Sequence, residues 1–426
     1  MEDDQRQMPS APLSLKSSVS RAVALLAIVA VAGCSGAGAV PATGLMQAVQ
    51  SAGIRSAADS ATGLPGESAT GLPGESATGL PGESATGLPG ANFACTGVPQ
   101  PGSADCTLAI NLNVAPTANP AQPASLIAGL HPADLQSAYG LPAQSAGGTV
   151  AIVDAYDDPL AESDLGTYRA AFGLPACTAA NGCFRKLNQR GASGSYPAPN
   201  SGWSEEIALD LEMVSAACPK CSIVLVEADS ALLDDLGAAV DTAVAAGAKA
   251  VSNSYYAVEW SSETSEDAHY RHPGVAMTAS SGDRGYATYP GASQYVTSVG
   301  GSSLARGSGG GWSESPWQYT GHGCSAYVAR PSWQRGTTCR ARSAVDVAAV
   351  ADPQTGVATF ATQAGGWIVA GGTSVGAPLI AAAYVLSGRP DSPSYSYQHP
   401  FAFLPIGGNG YQSITGLGSP VGLAGL

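Results

Sequence analysis

Ser374 lies in the stretch GGTSVGAPLIAAA, Gly371 to Ala383, after two glycines and a threonine and before a run of small apolar residues. That placement makes its hydroxyl a candidate nucleophile, and a serine nucleophile needs a base, most often histidine. The chain has five histidines, His131, His269, His272, His322 and His399, and all lie in loop-like or linker contexts. None stands at the strand-to-helix junction expected of a triad base. His269 and His272 are three residues apart but lack the carboxylate pattern of a His-Glu-x-x-His zinc site.

The carboxylates are more informative. In SGWSEEIALDLEMVSAACPKC, Ile207, Leu211, Val214 and Cys218 recur at the spacing of one helical stripe. Glu206 and Asp210 are four apart, so they stand one turn above the other on a neighbouring face, where two ionised acids repel. Ser204 is the expected N-cap of this helix, with Trp203 before it as a staple. Read alone, the pair is more simply an acidic face turned to solvent near a helix start, where the dipole favours negative charge. In ASSGDRGY, Asp283 closes an apolar strand between Gly282 and Gly285, which let the backbone turn sharply. By itself it could be an ordinary turn aspartate.

These residues need elements to position them. TVAIVDAY, CSIVLVEA, KAVSNSYY, GVAMTASSGD and YVTSVGG read as buried strands, and DLGTYRAAFG and LLDDLGAAVDTAVAAGA between them have helical spacing. The alternation predicts an α/β fold with a mainly parallel central sheet and helices on both faces, in which chemistry gathers at the strands' carboxyl ends. The Gly- and Trp-rich region from Gly307 to Arg340 is expected to form surface loops beside a cleft, with Trp312 and Trp317 as candidate lining. A nucleotide-binding fold is disfavoured, because Val153-Asp154-Ala155-Tyr156 stands where a Gly-x-Gly-x-x-Gly would follow the first strand.

The 426 residues carry a formal charge of -14, which argues against nucleic acid or an anionic membrane as the main partner. Lys16 and Arg21 precede the apolar run Ala22 to Ala32, too short to span a bilayer and flanked like a secretory signal. It ends in Val31-Ala32-Gly33-Cys34, which looks like a bacterial lipobox, ordinary signal cleavage beside a chance cysteine being the alternative. Of nine cysteines, setting aside Cys34 leaves local pairs: Cys95 with Cys106, Cys177 with Cys183, Cys218 with Cys221, and Cys324 with Cys339. Four short-range disulfides in an oxidising compartment are predicted, with no second Cys-x-x-Cys to turn Cys218 and Cys221 into a zinc site. From Ala61 the sequence ATGLPGES repeats with a period of eight, a composition that cannot build a core and reads as a disordered spacer. The expected organisation is a signal with lipobox over 1–34, a flexible linker over 35–92, a short segment with a Cys pair over 93–128, and one domain over 129–426.

Together these motifs resemble the sedolisin family of serine-carboxyl peptidases, which share the subtilisin-like fold and use glutamate in place of histidine. The resemblance rests on Glu206-Ile-Ala-Leu-Asp210, Gly282-Asp283 and Gly372-Thr373-Ser374, in the family's chain order. It extends through VAIVDAYDDP, FGLPACTAANGCF, VSNSYY, YPGASQYVTSVGG and DVAAVADPQTG. It implies Ser374 as nucleophile, Glu206 as general base, Asp210 as its support, and Asp283 as a protonated donor to the oxyanion. The implied activity is an exported or lipid-anchored monomeric endopeptidase acting on proteins or peptides at acidic pH. The competing expectation is an inactive surface lipoprotein that keeps the fold for binding. Two features depart from the family. Its Ca²⁺ site uses an Asp-Val pair and a later Gly-x-Asp loop, but Gln412 stands where the ligand aspartate is expected and no Asp or Glu follows Asp391. That site is therefore expected to be lost or weakened, and no other cofactor is implied. Most of the family carry a long folded propeptide, whereas here a repeat tether and about 35 residues precede the expected domain.

Overall fold

A strand that is apolar on both faces must be covered on both. Thr149–Ala155 illustrates this: Val150 and Ile152 enter one core with the helices Pro132–Tyr139, Ala161–Ala171, Ser201–Ala217 and Gly376–Ser387, while Ala151 and Val153 enter a second with the helix Leu233–Ala245. The computed structural model describes residues 87–142, 145, 147–389 and 393–426. The expected signal, the lipobox and most of the repeat linker lie outside the described residues, but the linker's last six residues, expected to be a flexible spacer, are built into the fold: Leu88 is buried and Ala91 and Asn92 pair as part of the strand Ala91–Phe93.

Around Thr149–Ala155 the central sheet has eight strands. Ser222–Ala228 and then Phe184–Asn188 extend it on one side, and Ala250–Asn253, Ala276–Ser280 and Thr297–Arg306 extend it on the other, all parallel. Val347–Val350 joins Thr297–Arg306 in parallel, and Trp312–Pro316 turns back on it as the single antiparallel strand. The α/β fold with helices on both faces is thus the one the sequence pattern implies.

Three local expectations need correction. The helix Ser201–Ala217 is capped by Asn200, whose side chain accepts from Trp203 N at 3.2 Å, and not by Ser204, which lies inside the first turn and donates to Asn200 O. Nor does this helix carry a solvated acidic face, since all its residues except Ser201 and Glu205 are buried. The region from Gly307 to Arg340 is not all loop: it contains Trp312–Pro316 and Cys324–Ala329, strands whose polar alternation hid them. Trp312 lies beneath Arg306 and Trp317 against Tyr319, so neither pairs with the residues singled out for chemistry. All four expected disulfides are formed.

Candidate active site

The ends of two strands and the helix Ser201–Ala217 gather the singled-out residues. Asp283 follows Ala276–Ser280 through Gly282, whose φ of +92° suits glycine. Ser374 follows Gly366–Gly371 through Gly372, at φ +98°. Thr373 ties the two turns together, donating to Asp283 Oδ1 from its amide at 3.0 Å and its hydroxyl at 2.6 Å. Ser254, just beyond Ala250–Asn253, donates to Asp210 Oδ1 at 2.9 Å and reaches Ser374 O at 3.5 Å. The sequence-based candidates Ser374, Glu206, Asp210 and Asp283 are therefore brought together, and each is at most 1 % exposed.

Burial without a counter-ion dominates the electrostatics. Glu206 is pushed well above the ordinary range by desolvation and by Asp210, against smaller opposing effects from the Ser374 hydroxyl and two backbone amides. Asp210 is pushed up by desolvation and by Asp154. Asp154, the penultimate residue of Thr149–Ala155, is itself raised by desolvation, Glu206 and Glu227, and neither of its oxygens has a hydrogen-bond partner. Asp283 is raised to about 7 by desolvation, with Thr373 and Arg284 pulling the other way. Ser374 Oγ, Glu206 Oε1, Asp210 Oδ2 and Asp283 Oδ2 are buried without a well-aligned partner. Such a cluster holds protons at neutral pH and presents polar atoms free to engage a reacting group.

The histidines are committed elsewhere. His269 and His272 both face Asp241, at 2.7 and 3.1 Å, and His131, His322 and His399 bond backbone carbonyls. Sequence reasoning missed Asp154 and Ser254. An acid closing the otherwise apolar TVAIV run was the available signal for the first, and nothing local marked the second.

The chain itself occupies this cleft. Thr107 N and Leu108 N both donate to Glu206 Oε2, at 2.9 and 2.7 Å. Upstream, Asp105 and Cys106 pair antiparallel with Tyr256 and Tyr255 on one wall. Downstream, Ala109 and Ile110 pair antiparallel with Gly371 and Ala370 on the other. A Cβ placed on Gly372 would lie 1.7 Å from Thr107 O and 2.8 Å from Asp283 Oδ2, so only glycine lets the peptide carbonyl pass this close. Above the strap, Ala91–Phe93 pairs with Ala109–Asn111, and Ala94 N donates to Leu108 O at 2.9 Å.

The residues of the expected Ca²⁺ site do not fit a cation. Asp346, the acid of the Asp-Val pair, receives a bidentate contact from Arg342 at 2.8 and 2.5 Å, with both side chains fully buried. Its two oxygens also accept from Tyr397, Gln334 and Ser298 N. Arg342 further claims the carbonyls of Ser343 and Val296. A hard cation needs several free oxygens, and here the guanidinium has taken them.

No known family profile matches the chain. Kumamolisin from Bacillus sp. (strain MN-32) is 27 % identical over 354 residues, covering 68 % of this chain and 62 % of that protein. The chain thus spans less than two thirds of that relative. Among solved structures, a Pseudomonas sedolisin described as a serine-carboxyl proteinase, complexed with two molecules of pseudo-iodotyrostatin, superposes with a TM-score of 0.59. The match covers 69 % of this chain and 96 % of that one at 22 % identity, and it establishes a shared subtilisin-like fold.

Proposed function

We propose, for a chain that belongs to the sedolisin family of serine-carboxyl peptidases, that it hydrolyses peptide bonds in acid with Ser374 as nucleophile and Glu206 as its base. The observation that carries this reading is the peptide already lying between Glu206 and Asp283, with its carbonyl at Gly372 and its amides on Glu206 Oε2.

The chemistry follows from the positions. Ser374 Oγ attacks the carbonyl carbon of a bound peptide while Glu206 accepts its proton, then returns that proton to the departing amine. Asp210 lies one helical turn below Glu206 and is held by Ser254, so it orients the base and shares its charge. Asp283, its Oδ1 fixed by Thr373, has Oδ2 beside Gly372, where the carbonyl also lies, and when protonated donates to the developing oxyanion. Water then hydrolyses the ester on Ser374.

Acid dependence comes from two opposing demands. Asp283 must keep its proton, which its raised value of about 7 favours below neutrality. Glu206 must lose its own, which a hydrated, peptide-filled cleft assists and a dry one resists. We also propose export through the segment 1–34 with acylation at Cys34, a fit to the four disulfides, and a monomeric state. The proposal includes no resident metal, in keeping with the saturated Asp346. No helix among the described residues is long and apolar enough to cross a membrane.

The test is cleavage of unstructured peptides from about pH 2 to 8 by the wild-type chain, Ser374→Ala and Glu206→Ala. Acid-limited activity lost in both folded variants supports the assignment. Silence of the wild-type domain at every pH, after the strap has been removed, favours a binding scaffold instead.

A further inference from the structure

We infer that the surface seating Leu88, Pro89 and Gly90 is a docking site for the eight-residue repeat itself, and that Leu80-Pro81-Gly82 and the two copies before it are its reserve occupants.

The last copy, ATGLPGAN, is the one seen in place, and the three residues that seat it recur in every copy. Leu88 is buried with Ala109, Trp317 and Ala351. Gly90 has a φ of +69°, and its carbonyl accepts from Leu112 N at 2.8 Å and from Gln354 Nε2 at 3.2 Å. Pro89 between them restricts the backbone before the chain is seated. The site is larger than one Leu-Pro, because an open cavity of about 270 Å³ continues beside it among Pro316, Trp317, Tyr319 and Pro353. A groove lined by aromatic and proline rings suits an extended, proline-containing peptide. Leu64-Pro65-Gly66, Leu72-Pro73-Gly74 and Leu80-Pro81-Gly82 offer the same leucine, the same restricted φ and the same glycine.

The upstream copies differ from the seated one only in their last two residues, and that difference decides which copy is seated. Ala91 is 3 % exposed, and the other copies place Glu67, Glu75 or Glu83 at its position, so they would bury a carboxyl where the last copy buries a methyl. The last copy therefore wins while it is intact. Asn92 is exposed, so the serine of the other copies fits there. Glu83 and Ser84 pair through their main chains with Asn111 and Ile110 as Ala91 and Asn92 do. A shift by one copy leaves residues 85–92 as an added loop before Phe93, which costs little closure entropy. The reserve protects the edge of Ala109–Asn111 that Ala91–Phe93 covers, the other edge being paired with Gly371 and Ala370. Each shift also shortens the chain between Cys34 and the domain by one repeat.

The experiment reads hydrogen exchange at the Leu112 amide, the donor to Gly90 O, in the full chain at pH 7. It compares wild type, Leu88→Ser, the triple variant Leu64→Ser, Leu72→Ser and Leu80→Ser, and a chain with all four substitutions. Leu88 belongs to the small third cluster and to neither main core, so all of these chains fold. The expected exchange is unchanged in the triple variant, faster by about tenfold or less in Leu88→Ser, and faster by about a hundredfold or more with all four. Adding Glu83→Ala to Leu88→Ser matches the third copy to the seated one at the buried position and returns exchange close to the wild-type rate. Full loss of protection in Leu88→Ser alone, or equal exchange in all four chains, overturns the inference. Protection in Leu88→Ser that grows as protein concentration is raised also overturns it, because the occupant is then a copy on a second chain.

Discussion

Two buried acid clusters lie at opposite edges of the same sheet, one beyond the carboxyl end of Ala276–Ser280 and the other just before the start of Val347–Val350, and they meet the same cost in opposite ways. Around Glu206, the acids Asp154, Asp210 and Asp283 are sealed with no docked cation, and burial pushes all four upward so that protons neutralise them. Around Asp346, one acid is matched by the bidentate guanidinium of Arg342, with Tyr397, Gln334 and Ser298 N completing its shell. A proton can be given and taken back within the accessible pH range, whereas an arginine's cannot. The first arrangement therefore suits chemistry and the second suits stability.

The comparison can be broken where each cluster is most committed. Ser374→Ala is expected to lower peptide cleavage by about 10⁴-fold or more while leaving the unfolding midpoint nearly unchanged, because it removes only the attacking atom. Measured kcat/KM and denaturation curves on the same sample check both halves. Arg342→Met is the converse case. It strands Asp346 in a dry site and should cost about 3–5 kcal/mol of stability in urea unfolding, while the folded fraction keeps its activity. If Arg342→Met unfolds like wild type, the contrast between the clusters collapses.

A smaller effect lies in the pH dependence of stability. The folded value of Asp283 is raised from the ordinary 3.8 to about 7, so the folded chain binds the extra proton. The stabilisation is thus fully present below about pH 4 and is lost as pH rises through about 7, by on the order of a few kcal/mol. Asp283→Asn should flatten that slope, which chemical denaturation at pH 4, 5.5 and 7.5 resolves. Smallest of all should be the response to calcium or a chelator. A site filled at 100 times its Kd would add about 2.7 kcal/mol, whereas the saturated Asp346 shell predicts a melting shift of under about 1 °C.

Much of this was legible in the sequence because the relevant signals are local. Buried strands of Val, Ile and Ala alternating with helical spacing gave the α/β architecture, and Glu206, Asp210, Asp283 and Ser374 stood out because glycines and helix spacing flank them. The rest depends on contacts distant in sequence. Thr107 and Leu108 lie in a stretch with no motif, and only pairing with residues near 255 and 371 carries them into the cleft. Arg342 belongs to no motif in the sequence, and only the fold brings Val296, Tyr397 and Asp346 around it. The cap falls on Asn200 and not on Ser204 because the helix begins one turn earlier than the apolar stripe marks, and both residue types can serve there.

The strap that fills the cleft also acts as a competitor built into the chain. Joined to the domain it blocks, it is present at an effective concentration of at least about millimolar, however dilute the protein is. An added peptide at micromolar levels is outcompeted while the strap remains, so product should appear only after a lag. The length of that lag depends on how quickly the intramolecular rival is lost and not on how much peptide is supplied.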